Sequence, residues 1–190
     1  PRSGDLVKSV AWDEWRGALN RGVTTVSDEQ LVEVAKTLRS ARLVLTAGNG
    51  GSSSIASHAA QAFLKPDYAA GGGLSAVCVT DNVPTLTAHA NDGGWADALA
   101  EAARPFLDLP DVVLLAISSS GRSENVVRLA RLTRERGRPV IAMTGFAGEP
   151  LRSLATISLH VDSDDYEVVE PAHVAILHRV QYHLRRGARE

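Results

Sequence analysis

The chain has 190 residues, which is enough for one well-buried domain and short for two. Its 44% hydrophobic and 22% charged residues are ordinary for a soluble globular protein, and a net charge of −2 gives no field that attracts nucleic acid or an anionic membrane. No apolar run approaches the roughly 20 residues that cross a bilayer, no signal peptide is recognisable, and the single cysteine, Cys78, excludes an internal disulfide or a thiolate zinc cluster. We therefore expect a cytoplasmic protein.

Short β-branched runs alternate with longer helical patterns along the chain. In chain order the sequence predicts helices at 13–20 and 27–41, a strand at 42–48, a helix at 53–65, a strand at 74–79, helices at 83–92 and 95–106, a strand at 111–118, a helix at 123–137, strands at 139–145 and 156–161, and a final helix at 171–186. Ser27 and Gln30 have the spacing of a capping box. Ser123 is a candidate N-cap, Gly137 a C-terminal stop, and Pro171 suits the first helical position.

Strands that are continuously apolar and separated by helices indicate a parallel sheet covered on both faces. Five such strands with their crossovers occupy the whole chain, so we expect a single α/β domain over 1–190, doubly wound as in Rossmann-like and flavodoxin-like folds. The helices within about 5–41 precede the first strand and need a surface to pack on. A partner subunit is one such surface.

Ligands of doubly wound sheets bind beyond the carboxyl ends of the strands, where two turns are distinctive. The first, LTAGNGGSSS, lacks the lysine of a P-loop and does not fit GxGxxG, so no nucleotide cofactor is expected. A tight turn that needs positive φ explains its glycines about as well as a ligand does.

The second turn, AISSSGRSENVV, groups serine hydroxyls around one glycine at the start of a helix. Free N–H groups, the positive end of the helix and several hydroxyls suit a phosphate dianion. Ordinary capping by Ser123 is the alternative, and four hydroxyls directly after an apolar strand favour phosphate. The hydroxyls belong to Ser118, Ser119, Ser120 and Ser123.

Five segments together resemble the sugar isomerase (SIS) domain family, and within it the phosphoheptose (sedoheptulose 7-phosphate) isomerase branch. They are GNGGS at 48–52, TDN and LTAHAND within 80–92, SSSGRS at 118–123, TGF and G within 144–148, and the acidic residue and two histidines of the final helix. The resemblance covers nearly the whole chain. It implies the SIS fold, a sugar-phosphate substrate, isomerisation through an enediol, and a homotetramer whose sites are shared between subunits.

The resemblance also implies roles for individual residues. The four serines would hold the phosphate, and the sugar would contact Asn49, Ser52 and Asp92. His178 matches the catalytic histidine of the family's last helix, and histidine titrates near the pH at which protons must move. His173, five residues earlier, is expected to be a packing or interface residue.

Two acidic residues near the final helix match functional positions of the family. Glu167 matches an acidic substrate contact, with a solvated loop carboxylate as the alternative. Glu170 matches a metal-ligand glutamine of zinc-binding members. Because a residue before proline is pushed out of helical geometry, we expect Glu170 at the mouth of the helix, where its carboxylate could swing into the site. Capping of the helix is the alternative for Glu170.

One position departs from the family pattern. His58 matches the first metal-ligand histidine, but the glutamate expected four residues later, both ligand and base, is Ala62. Gln61 points about 100° away and cannot accept a proton in the same manner. Glu170 could replace the missing acid, a neighbouring subunit could supply one, or catalysis could be lost. Candidate ligands for a Zn²⁺ site with an open position are His58, Glu170 and His178.

Two functions compete. The first is an aldose–ketose isomerase of a long-chain sugar phosphate, a heptose or an octose, favoured by the serine loop and His178. The second is a non-catalytic sugar-phosphate sensor or interaction scaffold, favoured by Ala62.

Overall fold

Helices and strands alternate as the sequence predicts. A computed structural model of the chain describes residues 12–65 and 73–186. Its helices are α1 (Trp12–Thr24), α2 (Asp28–Ser40), α3 (Gly51–Leu64), α4 (Val83–Gly93), α5 (Trp95–Leu107), α6 (Glu124–Glu135), α7 (Leu151–Leu154) and α8 (Tyr166–Arg186). Its strands are β1 (Leu43–Ala47), β2 (Ala76–Cys78), β3 (Val112–Ser118), β4 (Val140–Thr144) and β5 (Ile157–His160). None of the helices in these two ranges is long and apolar enough to span a membrane.

The five strands form one parallel sheet in the order β2-β1-β3-β4-β5. Alternate side chains of each strand enter two separate cores. Val44 packs with α2, α3 and α8 on one face, whereas Leu43 and Leu45 pack with α5 and α6 on the other. The doubly wound α/β prediction is therefore confirmed.

The order of the strands fixes where a ligand can bind. β1 and β3 are neighbours, and the helices that follow them, α3 and α6, lie on opposite faces of the sheet. The two turns therefore diverge at the carboxyl ends of these strands, and the crevice between the turns at such a topological switch point is where doubly wound sheets bind ligands. They are residues 48–50 and 119–123.

α1 and α2 pack on α8, so the chain itself supplies the surface that these early helices need. The capping box of α2 is confirmed: the Ser27 N–H donates to Gln30 Oε1 over 2.9 Å, and the Gln30 N–H donates to Ser27 Oγ over 3.3 Å. The part of the predicted helical region before residue 12 lies outside the described residues.

The predicted start of the last helix is wrong. α8 begins at Tyr166, so Pro171 lies inside it and Glu170 has helical geometry instead of standing at the helix mouth. Proline cannot donate to the carbonyl four residues earlier, which belongs to Glu167. The Trp15 indole N–H of α1 donates to that carbonyl over 3.0 Å. A contact from a distant helix thus satisfies the group that the proline leaves without its usual donor.

His173 is a buried member of α8, as its expected packing role requires. Its Nε2 lies 3.2 Å from the Thr144 carbonyl oxygen, and its Nδ1 has no partner among the described residues. Burial lowers the pKa of His173 from 6.5 to about 4, against the opposing effect of the Thr144 hydrogen bond. The ring is therefore neutral at pH 7 and donates from Nε2.

Trp15→Phe should lower the free energy of unfolding by about 0.5–1.5 kcal/mol, because the Glu167 carbonyl loses its donor. In a Pro171→Ala background the loss should shrink, since Ala at 171 restores the helical N–H. Urea unfolding followed by far-UV circular dichroism measures both values. Equal losses in the two backgrounds would contradict this role for Trp15.

Acid should destabilise the protein partly through His173. The pKa is lower in the folded state, so below pH 6.5 the unfolded state binds the extra proton and stability falls as the pH drops towards 4. The loss amounts to about 3 kcal/mol when complete. His173→Gln, which keeps a side-chain N–H donor, should flatten the pH dependence of urea unfolding between pH 7 and 4.5. An unchanged slope would refute the assignment.

Candidate active site

The loop after β3 brings serine hydroxyls to the start of α6. Ser118 and Ser119 are buried, and the Ser118 hydroxyl donates to Ser123 Oγ over 3.3 Å. Ser119 Oγ is buried and has no hydrogen-bond partner among the described residues. Buried hydroxyls are normally paired, so this unpaired oxygen is a candidate for binding a ligand. The first turn of α6 adds backbone N–H groups and a positive helix end, which together suit an anion.

Ser123 occupies the N-cap position of α6 as predicted, but its side chain does not cap the helix. The Val126 N–H, which a capping side chain would serve, donates to Asn125 Oδ1 over 3.0 Å. Ser123 Oγ is thereby left to Ser118 and the ligand. The half-buried Ser120 accepts the Arg122 N–H over 3.3 Å.

The serine loop is fixed by the turn that follows β4. The Gly145 N–H donates to the Ser119 carbonyl over 2.8 Å, and the Leu151 N–H donates to the Gly121 carbonyl over 3.2 Å. Gly121 has φ +70°, and a Cβ there would overlap the Gly148 carbonyl. Only glycine fits this position, so the loop is held in one shape before a ligand binds.

His160 lies behind this turn. Its Nδ1 is 2.9 Å from the Thr144 hydroxyl. Burial, followed by the charge of Arg152, lowers the pKa of His160 below its ordinary value. This histidine is therefore neutral at pH 7 and adds no positive charge beneath the serine loop.

The loop after β1 carries the predicted sugar contacts. A Cβ on Gly48 would lie 2.6 Å from the Ser52 backbone, so the close turn requires glycine. Ser52 is buried in the first turn of α3, and Asn49 is half-buried beside it. The Asn49 and Asn125 amides exchange two hydrogen bonds, of 2.8 and 2.9 Å, and so join this loop to the serine loop.

Asn125 is a site residue that the sequence analysis missed. It lies two positions after Ser123 in the first turn of α6 and is 1% exposed. The available signal was a polar side chain immediately before the apolar residues of the helix, which a generic helix start explains equally well.

An open cleft of about 830 Å³ borders the start of α3 and contains both predicted carboxylates. The Glu170 carboxylate contacts Gly51, where any Cβ would overlap it. Glu167 is exposed at the rim. Other lining residues are mostly apolar or aromatic: Trp12, Trp15, Ser54, Ile55, Tyr166, Pro171 and Val174. Glu170 therefore reaches the positive end of α3 from within α8, through a side-chain contact instead of a broken helix.

His58 and His178 form a pair on the surface. Their ring centroids are 5.2 Å apart, and both side chains are exposed. His178 Nδ1 lies 3.0 Å from Gln181 Oε1, and with this orientation of the amide Nδ1–H donates and Nε2 carries the lone pair. His178 follows Glu170 by eight residues, about 12 Å along the axis of α8. A single chain therefore presents these two groups at separate places.

The candidate zinc ligands do not form a three-residue group. His58 and His178 are adjacent, but Glu170 contacts Gly51, two turns before His58 on α3. Ala62 is buried and offers no ligand. Within 12–65 and 73–186, no three His, Cys, Asp or Glu side chains are placed to hold a metal ion. A catalytic zinc needs three protein ligands, so the described residues of this chain do not fit it, and the zinc site stays a prediction.

Asp92 lies exposed near the end of α4, where Asn91 Nδ2 donates to its carboxylate over 3.0 Å. α4 packs on α5. The predicted sugar contact of Asp92 stays a prediction.

Comparisons with known proteins identify the family. The SIS domain family matches residues 29–145. A phosphoheptose isomerase of Bradyrhizobium sp. is 32% identical over 87% of this chain and 83% of its own. The lincomycin biosynthesis protein LmbN of Streptomyces lincolnensis is 35% identical over 73% of this chain and 52% of its own.

A solved structure has the same fold. The phosphoheptose isomerase of Neisseria gonorrhoeae superimposes with a TM-score of 0.81 at 27% identity, over 90% of this chain and 93% of that one. The match confirms the expected fold and the expected family. The chain belongs to the SIS domain family, and phosphoheptose isomerases are among its similar relatives.

Proposed function

We propose that the protein is an aldose–ketose isomerase of a long-chain sugar phosphate, sedoheptulose 7-phosphate or a related octose phosphate. The observation that carries the proposal is the rigid serine loop, whose buried Ser119 hydroxyl is free for a ligand at the positive end of α6. The phosphate would bind Ser118, Ser119, Ser120 and Ser123, and the sugar would extend across the crevice to Asn49 and Ser52. The names of the similar phosphoheptose isomerases support this substrate class.

Isomerisation moves a carbonyl between two neighbouring carbons. A base removes a proton from C1 of the ketose while the C2 oxygen gains one, which gives an enediol. The proton on the C1 oxygen then leaves and C2 is protonated, which gives the aldose. Both steps need a group that exchanges protons with carbon and a second group that serves the two oxygens.

Glu170 is the proposed base at carbon. Its carboxylate contacts Gly51, two residues after Asn49, so it lies beside the loop that would hold the sugar. It is an acid in a family position where an amide is common, and it would compensate for Ala62. Glu167, at the rim of the same cleft, would accept hydrogen bonds from sugar hydroxyls.

His178 is the proposed shuttle at the oxygens, through Nε2. Because it is exposed and about 12 Å along α8 from Glu170, we assign it to a site that a neighbouring subunit completes. This assignment goes with a cytoplasmic homotetramer, in which Asp92 would also act at a subunit boundary. Zn²⁺ is given no step, since the donors of one protomer do not fit it.

The non-catalytic alternative rests on Ala62 alone, and the similar isomerases do not favour it. Incubation of the purified tetramer with sedoheptulose 7-phosphate and longer ketose phosphates, with and without Zn²⁺, decides between the two. Turnover supports the isomerase. A protein that binds the sugar phosphate without turnover supports the sensor.

Glu170→Ala and His178→Ala should each lower kcat by at least roughly 10²-fold, the scale of a lost acid or base. Steady-state assays at matched tetramer concentration measure the loss. Glu33→Ala, which removes an exposed carboxylate from α2, is the control and should keep full activity. An active Glu170→Ala enzyme would eliminate Glu170 as the base.

Co-expression of Glu170→Ala and His178→Ala subunits should restore about a quarter of wild-type activity, because random assembly reunites the two groups across subunit boundaries in that fraction of sites. Activity of the purified mixed tetramers is the measurement. Pairing His178→Ala with the double variant is the control, since no wild-type His178 is then present. Mixed tetramers as inactive as this control would place both groups in the same chain.

A further inference from the structure

Two asparagines bridge the crevice between the sugar loop and the serine loop. Asn49 Nδ2 donates to Asn125 Oδ1 over 2.8 Å, and Asn125 Nδ2 donates to Asn49 Oδ1 over 2.9 Å. Asn49 follows β1 and Asn125 lies in the first turn of α6, so the pair joins elements that leave the sheet on opposite faces. It is a direct side-chain link across the switch point.

The orientation of both amides is determined by one backbone donor. The Val126 N–H can only donate, and it lies 3.0 Å from Asn125 Oδ1. Asn125 must therefore direct its oxygen to Val126 and its NH₂ to Asn49 Oδ1, and the Asn49 NH₂ must face Asn125 Oδ1. Asn125 is 1% exposed, so water does not compete for these bonds. A flipped amide at either position would set donor against donor.

This constraint prepares Asn49 for a sugar. An amide has two N–H donors and two acceptor lone pairs, and the bonds to Asn125 use one donor and one lone pair of Asn49. The half-buried Asn49 side chain keeps one donor and one acceptor, in a fixed direction, for neighbouring hydroxyls of a ligand. A rotating amide would have to be ordered when the sugar binds, at a cost in affinity.

We infer that Asn125 is a positioning residue, which holds the Asn49 amide in the orientation that binds the sugar and couples it to the phosphate loop. The inference rests on the proposed function for its catalytic consequence. Asn125 touches no reacting atom. Its side chain acts through Asn49 on one side and through the first turn of α6 on the other.

The test is a double-mutant cycle with Asn49→Ala, Asn125→Leu and both together, where leucine is close to asparagine in shape. Asn125→Leu should lower kcat/KM for sedoheptulose 7-phosphate by at least roughly 10-fold, mainly through KM, because misplacement of a binding group is costly. The double variant should be no worse than Asn49→Ala alone. Affinity for inorganic phosphate should fall less than affinity for sedoheptulose 7-phosphate, because only the sugar phosphate also loses the oriented Asn49 contact.

Thr133→Val is the matched control. Thr133 is buried on the same helix and donates to the Leu129 carbonyl over 2.8 Å, so its loss costs a buried hydrogen bond without touching the crevice. Its KM should equal that of the wild type. Asn125→Ala serves as a second variant should leucine prevent folding. Asn125 would have a merely structural role if the fold-changes of the two single variants multiply in the double variant. Equal losses of affinity for phosphate and for the sugar phosphate would show the same.

A readout without substrate separates this inference from the proposed function. In NMR spectra, the Asn49 side-chain NH₂ should be ordered in the wild type and become mobile in Asn125→Leu. An inactive wild type with this change would overturn the isomerase and keep the positioning role. An Asn49 amide that stays ordered in Asn125→Leu would overturn the positioning role, whatever the activity.

Discussion

Everything at the candidate site depends on one constraint: a parallel sheet buried on both faces directs all its strand-to-helix turns to the same end. Since β1 and β3 are adjacent and their helices diverge, the two polar turns face each other across a crevice. Polar groups there do not disrupt either core. The chain can therefore keep its apolar strands intact and concentrate serines and asparagines where the backbone also offers free N–H groups.

Most of the fold could be predicted from the sequence, because apolar runs and helical periodicity are local properties. The five strands, the capping box at Ser27 and the serine loop are all of this kind. The start of α8 could not, because the carbonyl that Pro171 leaves without its helical donor is paired by Trp15, which lies more than 150 residues earlier. The predicted capping by the Ser123 side chain was wrong for a related reason: Asn125 Oδ1 already accepts the Val126 N–H that a capping side chain would serve.

The candidate site was predicted in its residue types but not in its grouping. The sequence predicted His178 within the final helix and Glu170 at its mouth. The structure places both in α8, where His178 contacts His58 and Glu170 contacts Gly51. Contacts between α3 and α8 are tertiary, so no local pattern encodes them. Ala62 stands out in the sequence for what it lacks. In the structure it is simply a small buried residue of the core, where a carboxylate would have to be desolvated.

The outward-facing pair of His58 and His178 has a consequence for how activity scales. In the proposed shared site each subunit carries only part of the proton-transfer machinery, so the specific activity would depend on the assembly equilibrium. Dilution would then inactivate the protein without unfolding it. Turnover per subunit would rise with protein concentration until every subunit is assembled. The exposed surface around His58 and His178 would then determine the protein concentration at which the protein is active.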